Sequence, residues 1–171
     1  MTNSDYKIEK QNLSKISNKK IGAKEYYTII LISKGTCYFE LENEFIHCNT
    51  ETALLLKPNA TIRMECRNDK IPLELFLIRI RPSLLSELSD ETCDLMRGFS
   101  FLPLEKAMVH LDMRDTTLIK NITKTIMTLQ EDTMEFGHDL YLKNMVSLLL
   151  VLFLRSCIAS DHVKLSHRKK E

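Results

Sequence analysis

Residues Tyr26–Glu42 read YYTIILISKGTCYFELE, and how they are read decides the fold. Tyr26–Ser33 is a β-branched and aromatic run, and Lys34-Gly35 after it is a turn signal, so it reads as one strand. Thr36–Glu42 alternates, with Cys37, Phe39 and Leu41 set against Thr36, Tyr38, Glu40 and Glu42, the period of a half-buried strand. The texture continues through Phe45–Cys48, Ala53–Lys57, Thr61–Arg67 and Leu73–Ile80, separated by polar or proline turns. Six strands with no helix between them make an antiparallel meander or Greek key, closed as a sandwich or a small barrel.

Pro82 ends the β part and suits the first turn of a helix over Ser83–Leu88. Ser89 or Asp90 is expected to cap a helix over Glu91–Arg97, with Gly98 just past its end. Phe99–Met113 reads as irregular around Pro103, with a short extended piece at Met108–Leu111. Leu118, Ile119, Ile122, Ile126 and Leu129 then recur at helical steps, a helix capped by Asp115, running to about Phe136 and stopping at Gly137. Asp139 is expected to cap a second long helix, Leu140–Ala159, antiparallel to the first. Within it, Met145–Leu154 (MVSLLLVLFL) is interrupted only by Ser147. Spanning a bilayer takes roughly 20 apolar residues, so this shorter run reads as a buried or dimer-interface helix. Strands followed by helices define an α+β chain.

The formal charge of +1 gives no reason to expect nucleic-acid binding by this chain alone. The N-terminus has no apolar core behind its charges and does not read as a signal peptide. Cys37, Cys48, Cys66, Cys93 and Cys157 are scattered and odd in number, which predicts reduced thiols in a cytosolic protein. The histidines His47, His110, His138, His162 and His167 form no HxH pair, so no metal site is expected. No GxSxG elbow or nucleophilic Cys context is present. With four glycines in the chain, each placed at a turn or helix stop, no phosphate-cradling loop is expected either. No catalytic residue and no cofactor are predicted.

Taken together, the pattern resembles the N-terminal domain of AraC-type bacterial transcription regulators over roughly residues 20–165. The matching pieces are Ile29-Ile30-Leu31-Ile32-Ser33-Lys34-Gly35, the following TCYFELENEFIHCNTETALLLKP, the closing strand LELFLIRIRP, and YLKNMVSLLLVLFLR in the last helix after Glu131 late in the first. The resemblance implies a cupin-like antiparallel β-barrel of jelly-roll type that holds a small-molecule effector, followed by an α-helical hairpin that forms a homodimer. DNA would be bound through a separate domain outside this chain. The paired histidines of metal-binding cupins are absent: Asn59, Ala60 and Thr61 follow Pro58.

On this reading residues 1–24 are an N-terminal arm or edge strand, 25–81 the barrel, 82–160 the helical dimerisation region and 161–171 the start of a linker. Alternation puts Leu73, Leu75, Leu77 and Arg79 on one face of the last strand and Glu74, Phe76, Ile78 and Ile80 on the other. The resemblance turns the first set inward and the second under the helices. The expected pocket residues are Tyr27, Ile29, Ser33 or Lys34, Tyr38, Met64, Leu75, Leu77 and Arg79. The competing reading is that most of them simply fill the barrel. Lys34 and Arg79 favour an anionic effector, or serve as solvated strand ends. The expected dimer interface is Tyr141, Met145, Leu148, Leu149, Leu152 and Arg155. The alternatives are a stand-alone cupin-like small-molecule-binding protein or enzyme, and a scaffold barrel without a ligand. No membrane association is expected.

Overall fold

The computed structural model describes residues 5–67, 70–102, 105–131 and 136–168, with side chains through Ser160. It consists of two compact units, residues 2–108 and residues 109–171. The first is built on eight strands: β1 (Tyr6–Leu13), β2 (Ser17–Gly22), β3 (Tyr27–Lys34), β4 (Cys37–Leu41), β5 (Glu44–Cys48), β6 (Thr52–Leu56), β7 (Thr61–Cys66) and β8 (Leu73–Ile80). Two short helices follow, α1 (Pro82–Leu88) and α2 (Leu95–Ser100), then β9 (Lys106–His110).

All six expected strands are present, and three more join them. One sheet runs β1-β8-β3-β6-β9 and the other β2-β7-β4-β5. That order is a jelly roll: the chain crosses between sheets from β1 through β4, turns back in the β4–β5 hairpin, and crosses again through β8. The sheets are not closed into a continuous barrel; they face each other as a cupin-like sandwich. Residues 5–24 therefore contain two strands, the edge-strand alternative to an arm. β1 pairs with β8 (Ile8 opposite Ile78) and β2 with β7 (Ile21 opposite Ile62), each lying at the edge of its sheet.

The inner faces make one apolar core. β3 contributes Ile30 and Ile32, β8 contributes Leu73, Leu75 and Leu77, and the opposite sheet contributes Ile21, Cys37, Phe39, Ile62, Met64 and Cys66. Gly35, at φ +83°, is the turn residue on which this closure depends. A Cβ there would lie 3.0 Å from the Pro72 carbonyl oxygen and 3.2 Å from Leu73 Cα.

The helix boundaries differ from expectation at the caps. α1 starts at Pro82 as expected. α2 is capped by Asp94, whose Oδ1 accepts a hydrogen bond from Arg97 N at 2.9 Å, and Gly98 lies inside the helix. Asp90 instead closes a turn by accepting from Thr92 N and Cys93 N. Ser89 Oγ accepts from Leu95 N across that turn. The irregular stretch holds β9, starting at Lys106; Pro103 lies outside the described residues.

The second unit contains α3 (Met113–Glu131) and α4 (His138–Arg168), packed on each other. Asp112, rather than Asp115, caps α3 by accepting from Asp115 N at 2.8 Å. Asp115 Oδ2 accepts from Ser156 Oγ on α4 at 3.3 Å. The expected run of α3 towards Phe136 falls partly on residues outside the described ones. His138, rather than Asp139, opens α4, after Gly137 at φ +72°. The helix continues past the expected end at Ala159 to Arg168, so most of the expected linker is helical; its last residues lie outside the described ones.

Candidate functional site

Strand alternation and pairing decide which side chains face the space between the sheets. Arg79 is opposite Thr28 on one side and Lys7 on the other. It shares its face of β8 with Leu75 and Leu77, so the row lies on the inner face of the sheet, with Lys7 exposed at its edge. The next rows are Glu9–Leu77–Ile30 and Gln11–Leu75–Ile32. Across the gap, Lys19 is opposite Met64 and shares its inward face. Lys19 Nζ donates to Gln11 Oε1 at 2.6 Å, which ties the two edge strands together between the sheets.

The apolar core thus ends, at the β1–β2 edge, in a polar strip of Lys7, Glu9, Gln11, Lys19, Thr28 and Arg79. Three cations face one carboxylate. Lys7 Nζ lies 2.6 Å from Glu9 Oε1. That hydrogen bond holds the Glu9 carboxyl below its ordinary value against the opposing effect of burial, with added attraction from Lys7, Arg79 and Lys19. Two polar atoms in the Arg79–Thr28 row, Arg79 Nε and Thr28 Oγ1, are buried without a hydrogen-bond partner. Buried polar atoms are nearly always paired, and these two lie side by side across the β3–β8 pair. Arg79 offers directional N–H donors suited to a carboxylate or phosphate, and Thr28 a hydroxyl.

The expected pocket residues divide sharply. Met64, Leu75 and Leu77 are buried in the intersheet core, and Arg79 stands at its polar end. Tyr27 and Ile29 face the other way: Ile29 is opposite Ile78, and the Tyr27 ring meets Phe99 edge-on with centroids 5.7 Å apart. The inward residues of β3 are instead Thr28, Ile30 and Ile32. Tyr38 lies on the outer face of the four-stranded sheet, edge-on to His47 and under the Arg67 guanidinium, which sits 3.9 Å from its ring centre. Its neighbours Cys37 and Phe39 take the inward positions. Lys34 is exposed at a register shift where β3 meets β8, and Ser33 is half-buried. Lys7, Glu9, Gln11, Lys19 and Thr28 were not expected at the site. The signal was the alternation in YKIEKQNL, which sets Tyr6 and Ile8 against Lys7, Glu9 and Gln11.

The expected interface residues divide as well. Tyr141, Met145, Leu148, Leu152 and Arg155 recur at alternating steps of four and three along one side of α4. Tyr141 is 49% and Leu148 40% exposed. Met145 and Leu152 are half-buried and Arg155 is exposed. Leu149 does not belong with them: it is 1% exposed and lines the buried face with Leu142, Val146, Leu150 and Phe153. The full helix also corrects the length argument. His138–Ser160 is long and apolar enough to cross a membrane by length and composition, and 44% of its most apolar window is buried. A core helix passes the same test, and here the buried residues share a face.

The first unit is thus a two-sheet jelly roll with an apolar interior and a charged strip at one edge, and a helical hairpin follows it in the chain. Residues 21–134 match the AraC-like ligand binding domain family. The chain belongs to that family. No curated protein matches it. Among solved structures, ToxT from Vibrio cholerae with an unsaturated fatty acid bound is 14% identical, with a TM-score of 0.65 over 94% of this chain and 57% of that one. ToxT from Vibrio cholerae bound to (E)-4-(8-methylnaphthalen-1-yl)but-3-enoic acid is 16% identical, with a TM-score of 0.57 over 84% of this chain and 54% of that one. The AraC-like transcriptional activator CuxR is 11% identical, with a TM-score of 0.53 over 86% of this chain and 52% of that one. At such identities the likeness is one of fold. The chain spans just over half the length of each of these proteins.

Proposed function

We propose that this chain is the sensory and dimerisation part of an AraC-type transcription regulator that acts in the cytoplasm and is not an enzyme. On this reading it binds DNA only through a further domain and associates with no membrane. Residues 2–108 hold the effector, and the exposed stripe Tyr141–Met145–Leu148–Leu152–Arg155 meets the same stripe of a second copy about a two-fold axis. The effector is an amphiphile with an anionic head. Its head lies at Arg79, Thr28 and Lys19, and its apolar part enters the packed core beside Ile30, Leu75, Leu77 and Met64, which must part to admit it.

The observation that carries this reading is the pair of buried, unpartnered atoms Arg79 Nε and Thr28 Oγ1 at the rim of an apolar core. Both ligands named in the ToxT structures are carboxylic acids with large apolar parts, which supports the choice of class. The edge strands β1 and β2 are the natural point of entry. They carry polar residues on their inward faces, and each is held by its sheet along one side only.

A thermal-shift comparison of oleate with oleyl alcohol tests the effector. A ligand at a hundred times its Kd stabilises the folded state by about 2.7 kcal/mol, an easily measured shift. Oleate is expected to raise Tm and the alcohol to leave it nearly unchanged. Equal effects of the two would remove the anionic head from the proposal. Sedimentation velocity at micromolar concentration tests the dimer, and a monomer would refute it.

A further inference from the structure

A second cleft lies apart from the intersheet site, at the opposite face of the four-stranded sheet. It is open to solvent, has a volume of about 330 Å³ and is lined by Lys20, Glu40, Glu42, Asn43, Thr61, Arg63 and Lys106, most of them exposed. These come from five places in the chain: the end of β2, the end of β4, the β4–β5 turn, the start of β7 and the start of β9. The volume is at the small end of the range for ligand pockets, the size of an amino acid with a few waters.

One ion pair forms among these charges in the described residues. Arg63 Nη1 lies 3.4 Å from Glu40 Oε2, which forms one wall. Lys20, Lys106 and Glu42 make no ion pair among the described residues. Two cations and one carboxylate are therefore left facing the cleft. Glu42 also has an unusual backbone. It stands at φ 50° and Asn43 at φ 67°, the two central residues of the tight β4–β5 hairpin turn. Such turns favour Asn-Gly or Gly-Gly because a side chain at positive φ costs about 1–2 kcal/mol. Glu42 therefore stands at the rim of the cleft from a strained turn position.

We propose that this cleft binds an acidic α-amino acid, a zwitterion with two carboxylates and one ammonium group. Lys20 and Lys106 receive the two carboxylates, Glu42 receives the ammonium, and Asn43 and Thr61 supply neutral hydrogen bonds at the rim. The site is independent of the intersheet one, and one protomer can fill both.

Calorimetric titration of the chain with L-glutamate at low ionic strength tests it. The expected result is saturable one-to-one binding that weakens with added salt. Glutarate, which lacks the ammonium, and L-lysine, which lacks the second carboxylate, are expected to bind at least about tenfold more weakly, the scale of one lost charged partner. Lys106→Gln and Glu42→Gln are each expected to weaken L-glutamate about tenfold or more while leaving the oleate-induced thermal shift unchanged. Glu42→Gly is expected to raise Tm, because it relieves the turn, and still to lose L-glutamate. Absence of saturable heat with L-glutamate, equal binding of glutarate, or undiminished binding by the Glu42 and Lys106 variants would each overturn the proposal.

Discussion

Arg79→Met separates stability from binding at the intersheet site. In the unliganded chain, Arg79 Nε is buried without a partner. Leaving a buried donor unsatisfied costs about 1–3 kcal/mol. The guanidinium recovers part of that through its attraction for Glu9, whose side chain is 31% exposed. A pair so open to solvent is worth about 0–1 kcal/mol. Methionine keeps the apolar stem of arginine and fills the same space with an adaptable side chain. The balance favours the variant by about 1 kcal/mol. For a chain of this size that raises Tm by about 2–4 °C. The assay is a thermal melt and a urea titration of both proteins without ligand, followed by the same melts with oleate. The variant is expected to be more stable alone and to lose the oleate shift. A loss of more than about 2 kcal/mol in the variant without ligand would show instead that Arg79 is satisfied and structural.

Leu149→Ala is expected to cost about 2–5 kcal/mol of fold stability as a core truncation, whereas Leu148→Ala costs little in the monomer and weakens the dimer. Urea melts and sedimentation of the two variants distinguish the faces of α4. Gly35→Ala combines a positive φ with the approach of the Pro72 carbonyl and is expected to cost about 2–4 kcal/mol, seen as a drop in the urea midpoint. The folded Glu9 carboxyl sits below its ordinary value, so its contribution is present above the unfolded pKa of about 4.3 and is lost as pH falls through the folded value. Lys7→Ala removes the largest cause, so acid unfolding is expected to begin at a higher pH. Burial raises the Cys37 thiol and pushes Cys48 up to about 11. A chromogenic disulfide reagent at pH 7.5 is expected to meet the half-buried Cys93 quickly and these two only after unfolding.

The two-layer design was legible because its strands announce themselves. TCYFELE and TIRMEC alternate cleanly, and the structure turns Cys37, Phe39, Ile62 and Met64 inward as alternation requires. YTIILISK carries no such instruction. Apolar residues occupy both faces of β3, so parity cannot choose between Ile29 and Ile30; the choice is made by pairing with β8, which sets Ile30 beside Leu77. For that reason alternation alone does not assign Tyr27 and Ile29 to a face. β1 and β2 were hard to read because edge strands beside the polar strip bury few apolar side chains. Lys19 and Gln11 look like surface residues until the sheets bring Nζ to Oε1. On α4 the apolar run hides its own faces: Leu148, Leu149 and Leu150 are chemically alike, and only packing exposes the first and buries the other two.

In the proposed bound state an anionic amphiphile lies between the sheets with its head at Arg79. The most direct test is a titration of the isotope-labelled chain with oleate, followed by amide NMR. The largest shift changes are expected on Gln11, Lys19, Thr28 and Arg79, with smaller ones at Ile30, Leu75 and Met64. Saturating changes confined to the exposed stripe of α4, or none anywhere in β1, β2 and β8, would contradict it.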